Sequence, residues 1–288
     1  MAAILLTGNA TLDIVQTVDH FPREDEEMRA AGRRMVRGGN AANTACVLAG
    51  LGHAPRFFGL FADDAFGEQI RDDLRARGVN INGCPVVEGD SPLSCILVNA
   101  RNGSRTIVHH RNLPEPACGD FRRLPLETFD WFHFEGRNVE QTRCMMETVR
   151  ERRVDQPVSL EMEKDREGFD ALLPLADVIV ASRALVTARG FSDPADFAAA
   201  LRPQIPNGIL VVTGGEAGAW GFAPRGEPVH VPAFPPPRVV DTVGAGDTFI
   251  AGLIDALVSG RTLPAAIEAA SRLAGRKVGQ WGFDGLRL

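Results

Sequence analysis

Tyrosine is absent from the chain, and histidine (6), tryptophan (3) and cysteine (5) are sparse. The missing tyrosine carries no functional reading. No run approaches the ~18 apolar residues that a membrane-spanning helix needs. No long run of Lys or Arg occurs, and 31 basic against 37 acidic side chains leave a net charge of −6. That balance excludes the basic footprint of a nucleic-acid binder and an affinity for anionic membrane surfaces. The cysteines, Cys46, Cys84, Cys95, Cys118 and Cys144, are odd in number and form no C-x-x-C. They read as free thiols of a reducing cytoplasm and argue against a zinc site. The histidines show no spacing such as H-E-x-x-H, and no G-x-x-x-x-G-K-[ST] exists, which excludes a P-loop. Gly214-Gly215-Glu216-Ala217-Gly218 is not a G-x-G-x-x-G opening a helix, so a dinucleotide fold is disfavoured. Met1 to Val15 lacks a basic n-region and an A-x-A pattern, and reads as a first strand rather than a signal peptide. No repeat and no low-complexity segment is visible.

What is present is ordinary for a globular protein: 44% hydrophobic and 24% charged residues in 288, which excludes disorder and fibres. Such a length buries roughly 75% of the unfolded surface without needing disulfides or a structural metal. The pattern predicts strands at Ala3–Thr7, Arg56–Leu60, Asp130–Phe134, Pro157–Glu161, Asp177–Ala181 and Gly208–Thr213. It predicts helices at Ala41–Leu51, Phe66–Arg77, Val139–Arg152, Gly168–Leu175, Pro194–Leu201, Gly246–Ser259 and Leu263–Gly279. Strands alternating with helices imply an α/β fold with a mainly parallel sheet covered on both faces. The polar stretch Val15–Val36 and the hairpin Ser94–His109 break the alternation, and read as a small separate sheet inserted twice into the main domain.

Three segments carry chemistry. In Asp241-Thr242-Val243-Gly244-Ala245-Gly246-Asp247-Thr248-Phe249, small residues lie where a loop enters a helix. A ligand can approach the backbone there, and the first N–H groups of the helix, unpaired and at the positive end of its dipole, attract an anion. Alone, G-A-G-D also reads as a turn with a helix-stabilising carboxylate. Arg37-Gly38-Gly39-Asn40-Ala41-Ala42-Asn43 exposes backbone amides and places Asn40 and Asn43 to bond hydroxyls; alone, it also reads as a turn with Asn40 as N-cap. Asp13 follows the first strand, and open α/β sheets bind ligands at the carboxyl ends of their strands. Glu161 and Glu163, two apart, read as a polar pair at the edge of a cleft.

Together these strings resemble the signatures of the ribokinase-like (PfkB) carbohydrate kinases. Further strings, Phe21–Asp25, Asn102–Val108, Glu135–Asn138, Ala233–Asp241 and Gly282–Gly285, are similar to members of that family that phosphorylate O1 of fructose. The resemblance implies a three-layer αβα domain over residues 1–288 with a small β-sheet lid formed by roughly 12–37 and 92–113. It implies an ATP-dependent sugar kinase, with Mg²⁺ and, as a family trait, K⁺. It also implies a cytoplasmic homodimer joined through the lids, with no nucleic-acid or membrane partner. Asp247 is implied as the base that takes the sugar hydroxyl proton, with Gly244, Ala245 and Gly246 as the anion hole. Asp13, Gly39, Asn40 and Asn43 are implied sugar contacts, with Asp25 reaching the partner subunit's sugar. Arg105 is implied near the transferring phosphate or on the lid side of the site, Glu135 and Arg137 along the sugar–phosphate cleft, and Gly215, Gly218, Phe234 and Pro235 beside the adenine. The family's metal-organising Asn-x-x-Glu is replaced by Ser182-Arg183-Ala184-Leu185, so no metal ligand is assigned. The acid-rich lid stretch Glu24–Glu27 suits a small polyol better than a nucleoside base, while Arg29, Arg33, Arg34 and Arg105 keep a phosphorylated sugar open. A catalytically silent binding protein on this fold would be expected to lose Asp247 or the G-A-G, and neither is lost.

Overall fold

In a computed structural model that describes residues 1–152 and 155–287, the chain opens on strand β1 (Ala3–Thr7). Then follow β2 (Thr11–Val18), β3 (Gly32–Gly38), α1 (Asn40–Gly50), β4 (Ala54–Phe58), β5 (Phe61–Ala62), α2 (Ala65–Ala76), β6 (Val86–Val87), β7 (Leu93–Asn99) and β8 (Arg105–His110). The middle of the chain forms α3 (Cys118–Phe121), β9 (Trp131–Glu135), α4 (Val139–Glu151), β10 (Val158–Met162), β11 (Val178–Ser182), α5 (Arg183–Ala188) and α6 (Pro194–Leu201). It ends with β12 (Ile209–Thr213), β13 (Ala219–Phe222), β14 (Val229–Val231), α7 (Ala245–Val258) and α8 (Leu263–Val278).

The main sheet has eight strands in the order β14-β13-β12-β11-β10-β9-β1-β4. All neighbours are parallel except β12–β13 and β13–β14. Successive side chains of a strand face opposite ways, and β1 shows the consequence. Ile4 and Leu6 enter a core with Ala45, Leu48, Phe249 and Leu273 of the helices α1, α7 and α8. Leu5 enters a second core with Phe121, Phe132, Met146 and Phe197 on the other face. Both faces are covered, so β1 is apolar throughout rather than alternating. This is the three-layer αβα arrangement that the alternation of elements implies. No helix among the described residues is long and apolar enough to cross a membrane.

A separate four-stranded sheet, β3-β2-β7-β8, is built from two excursions of the chain. Strand β2 pairs antiparallel with β3 and parallel with β7, which pairs antiparallel with β8. The register puts Asp13 beside Ser94, and Ser94 beside His109, in one row across the sheet.

The helix expected at Gly168–Leu175 is a short 3-10 helix, Phe169–Leu175. The structure corrects two expectations. The antiparallel strands β13 and β14 extend the sheet where no strand was predicted. Cys118 and Cys144 form a disulfide, with Cys46, Cys84 and Cys95 free. Packing α3 on α4 brings the two Cα atoms to 6.0 Å, within bridging range. An odd count excludes full pairing but not one pair among five.

Candidate active site

The carboxyl ends of β9, β10, β11 and β12 and the inner face of the small sheet enclose a cavity of about 550 Å³. Its position is where an open α/β sheet presents ligands. Gly38 and Gly39 set one wall. A Cβ on Gly38 would lie 2.1 Å from Asp13 Oδ2, and one on Gly39 would lie 2.2 Å from the Asn9 carbonyl. Gly39 also has φ of 96°, which L side chains rarely adopt. Only glycines allow this close passage. Gly39, not Asn40, is the N-cap of α1, so the capping alternative for Asn40 fails and its amide is free for other work. That amide donates to Glu161 Oε1 at 2.9 Å and Glu163 Oε2 at 3.2 Å.

One turn further, Asn43 Nδ2 donates to Asp247 Oδ2 at 2.6 Å. The orientation of the Asn43 amide follows from its neighbours. Arg37 Nη1, a donor only, points at Asn43 Oδ1 at 2.6 Å. The NH₂ must then face the carboxylate. Arg37 is held in turn by Asp73 Oδ2 at 2.8 Å from Nε. The relay Asp73–Arg37–Asn43–Asp247 fixes the carboxylate of Asp247, which is only 7% exposed. Burial pushes its pKa up to about 7; the Asn43 bond opposes the rise, and the charges of Glu135 and Glu163 add to it. A group poised there is matched to proton transfer at neutral pH.

Asp247 lies in the first turn of α7, whose N-cap is Gly244 with φ of 80°. A Cβ there would meet the Phe283 ring at 2.4 Å, whereas one on Gly246 would meet nothing within 4 Å. The backbone at Gly246 is thus open to approach. The N–H groups of Gly246 and Asp247 have no carbonyl one turn back in the helix and attract an anion. Arg105 of β8 reaches this loop, its Nη1 donating to Thr242 Oγ1 at 3.0 Å.

Opposite, Asp13 is buried on β2, and its Oδ1 accepts from Thr11 Oγ1 at 2.9 Å. Burial raises its pKa, and bonds from Ser94 and Thr11 counter the rise. Glu135 is a brace: its Oε2 accepts from the Asn9 N–H at 2.9 Å and its Oε1 from Arg137 at 3.3 Å. Arg137 also donates to Glu115 Oε1 at 3.1 Å.

The structure therefore brings Asp13, Gly39, Asn40, Asn43, Arg105, Glu135, Arg137, Gly244, Ala245, Gly246 and Asp247 around one cavity. Asp25 is exposed, in a left-handed backbone conformation, and outside that lining. Gly215, Gly218, Phe234 and Pro235 are also outside it, beyond Thr213, which does line it. Phe234 packs on α8, where a Cβ on Gly275 would lie 2.1 Å from its carbonyl.

Sequence reasoning undervalued Glu161 and passed over Ser94. Glu161 is buried, its Oε2 is without a hydrogen-bond partner among the described residues, and it lines the cavity. Burial first, then the charge of Asp247, push its pKa well above the ordinary carboxylate value. The available signal was a glutamate ending an apolar strand. Among the described residues no group of three or more His, Cys, Asp or Glu is arranged to hold a metal ion.

Over residues 1–284 the chain matches the family described as "pfkB family carbohydrate kinase". It is 38% identical to the ketohexokinase of Mus musculus, covering 98% of each chain. It is 28% identical to the ribokinase of Bacillus subtilis, over 99% of this chain and 96% of that one. In structure it is similar to the Arabidopsis thaliana ribokinase complexed with ribose and ATP: TM-score 0.80, 21% identity, 98% and 94% coverage. It is also similar to the adenosine kinase of Sinorhizobium meliloti, with TM-score 0.81, 24% identity, and 99% and 96% coverage.

Proposed function

The chain belongs to the pfkB family of carbohydrate kinases and is a sugar phosphotransferase; within that family, we propose that it transfers the γ-phosphoryl group of ATP to O1 of a ketohexose, converting fructose to fructose 1-phosphate. The observation that carries the reading is the Asn43–Asp247 pair at the head of α7. It joins the two motifs at one point, in a chain 38% identical to mouse ketohexokinase end to end.

In this reading the sugar lies between Asp13, Gly39, Asn40 and Asn43, with its reacting hydroxyl at Asp247. Asp247 accepts that proton as the oxygen bonds to the γ-phosphorus, whose bond to the bridging oxygen breaks and releases ADP. The N–H groups at Gly244–Gly246, together with Arg105, oppose the charge on the phosphoryl oxygens. Glu135 and Arg137 hold the cleft wall. Gly215, Gly218, Phe234 and Pro235 border the nucleotide base. The donor is Mg-ATP. A resident metal cage does not fit the described residues, so the metal would be held chiefly by phosphate and water. A potassium requirement rests on the family resemblance alone, and no side chain is assigned to it.

The small sheet (residues 12–37 and 92–113) acts as a lid that limits hydrolysis by excluding water. Its outer strand β8 exposes Ile107 and Val108 at 51% and 69%, which supports a homodimer joined lid to lid, with Asp25 completing the partner subunit's sugar site. A solution mass of one chain by light scattering would refute the dimer. A cytoplasmic location rests on the family resemblance and is checked by fractionation.

The test is ADP release with Mg-ATP over fructose, tagatose, xylulose, ribose, fructose 6-phosphate, 2-keto-3-deoxygluconate and adenosine, with NMR of the product. Fructose 1-phosphate is the expected product. Turnover only on another sugar would withdraw the ketohexose, and nucleotide binding without any turnover would favour a silent binding protein.

A further inference from the structure

Lys277, near the end of α8, is 0% exposed, and nothing in the proposed reaction uses it. A buried ammonium is costly unless paired, and its partners are specific. Its Nζ donates to Asp241 Oδ2 at 2.9 Å and to the Asp241 backbone carbonyl at 3.1 Å. Asp241 opens the loop that ends in the G-A-G turn and Asp247. Its other carboxylate oxygen accepts from the Val243 N–H at 3.1 Å. The N–H groups of Val240 and Asp241 donate to the carbonyl of Val278, at 2.8 and 3.1 Å. Lys277 and Val278 thus grip the loop at its first residues, before Gly244 turns it into α7. From the cavity side, the next residue, Thr242, receives Arg105.

We propose that Lys277 is a positioning residue for phosphoryl transfer. Its ammonium, bound to both the carboxylate and the carbonyl of Asp241, sets the height of the Asp241–Gly244 loop. It thereby aims the α7 amides and the Asp247 carboxylate. The charge is needed as well as the hydrogen bonds, because the Asp241 carboxylate is itself only 11% exposed and must be neutralised to stay in place. Lys277 does not line the cavity that holds Asp247. It lines a second cavity of about 200 Å³ behind Asn43, with Arg37, Asp73, Val243 and Phe283. Its action is therefore through the loop, not by contact with the sugar.

The assignment rests on the sugar-kinase reading, and wild-type turnover is measured first. A wild type with no turnover on any sugar indicts that reading and is settled before any variant is made. With an active wild type, Lys277→Met keeps the apolar stem and removes the charge. Misplacing reacting groups by about 1 Å costs on the order of 10²-fold. The expected result is a kcat lowered by about that factor, with the sugar KM changed less than about threefold, since the sugar contacts are untouched. Lys277→Ala leaves space next to the second cavity, and ethylammonium is expected to restore turnover in a saturable manner while tetramethylammonium does not. Unchanged kcat in folded Lys277→Met overturns the assignment. So does a folded Lys277→Ala whose lost turnover ethylammonium cannot restore at any concentration. Should Lys277→Met fail to fold, the alanine variant purified in ethylammonium decides alone.

Discussion

Replacing Asp247 by Asn is expected to slow turnover sharply and make the protein more stable at the same time. The side chain is 7% exposed and its pKa is raised from 3.8 to about 7, chiefly by burial. At about 1.4 kcal/mol per tenfold, that gap is a ceiling of about 4 kcal/mol on the cost of keeping the charge folded. Glu135 and Glu163 share the same field and relax when the charge is removed, so the recoverable part is about 1–3 kcal/mol. Asparagine keeps the shape, and its carbonyl oxygen still accepts from Asn43. The sign follows from linkage. The folded pKa exceeds the unfolded one, so between about 4 and 7 the folded state holds the extra proton and stability falls as pH rises. The gain is therefore full above pH 7 and vanishes toward pH 4. For a chain of this size, thermal unfolding should shift upward by about 2–6 °C at pH 8, and by little at pH 4.5. kcat should fall by at least about 10²-fold, the general-base scale. Differential scanning calorimetry at both pH values, with ADP release, makes the measurement. An equal shift at both pH values, or none at pH 8, would refute the claim of a desolvated carboxylate. Near-normal kcat would refute its role as base.

The wild-type kcat/KM should fall about tenfold per pH unit below about 7, because Asp247 must be ionised to accept the proton. Glu163→Gln should move that limb to lower pH by a fraction of a unit, since the Glu163 charge raises Asp247; a limb that stays put would contradict the assignment. Arg105→Met should lower kcat by on the order of 10-fold with the fructose KM little changed, and a pure KM effect would place Arg105 on the sugar instead. Thiol titration of the denatured, unreduced protein should find three thiols rather than five, and reduction should cost about 3–4 kcal/mol for a loop of 26 residues. Five titrating thiols would refute the Cys118–Cys144 pair.

The main sheet was legible because its strands are apolar runs punctuated by helices with caps and stops. Strand β1 and helix α7 announced themselves within a residue or so. The edge strands β13 and β14 did not, because they are three or four residues long, are half-exposed at β14, and lack a run to detect. The two motifs of the site were legible as strings of glycine and asparagine. Their meeting was not, since Asn43 and Asp247 are 204 residues apart. Glu161 was legible as part of a polar pair at a cleft edge, but its burial beside Asn40 and Asp247 was not, because those neighbours come from distant parts of the chain. The disulfide was missed because Cys118 and Cys144 are 26 residues apart and carry no motif.

Four carboxyl groups around one cavity, Asp13, Glu135, Glu161 and Asp247, are all raised in pKa with burial as the leading cause. A fold selected only for stability would not gather them, because each buried charge opposes folding. What keeps them is a surrounding shell of donors rather than countercharges alone. Asn40 serves Glu161, Asn43 serves Asp247, Thr11 serves Asp13, and the Asn9 N–H serves Glu135. Among the described residues only Glu135 of these has a direct ion pair, with Arg137; the cations nearest Asp247 are kept one step back, Arg37 behind Asn43 and Lys277 beneath Asp241. A cation paired directly with Asp247 would lower its pKa and weaken it as a base. Amide donors hold the carboxylate in place at a smaller loss of basicity. The consequence is directional: Asn43→Lys, which puts a charge beside Asp247 and takes the acceptor from Arg37, should shift the acid limb of kcat/KM below its wild-type position and lower the plateau. A limb that stayed put or moved upward would mean that the Asn43 amide does not set the basicity of Asp247.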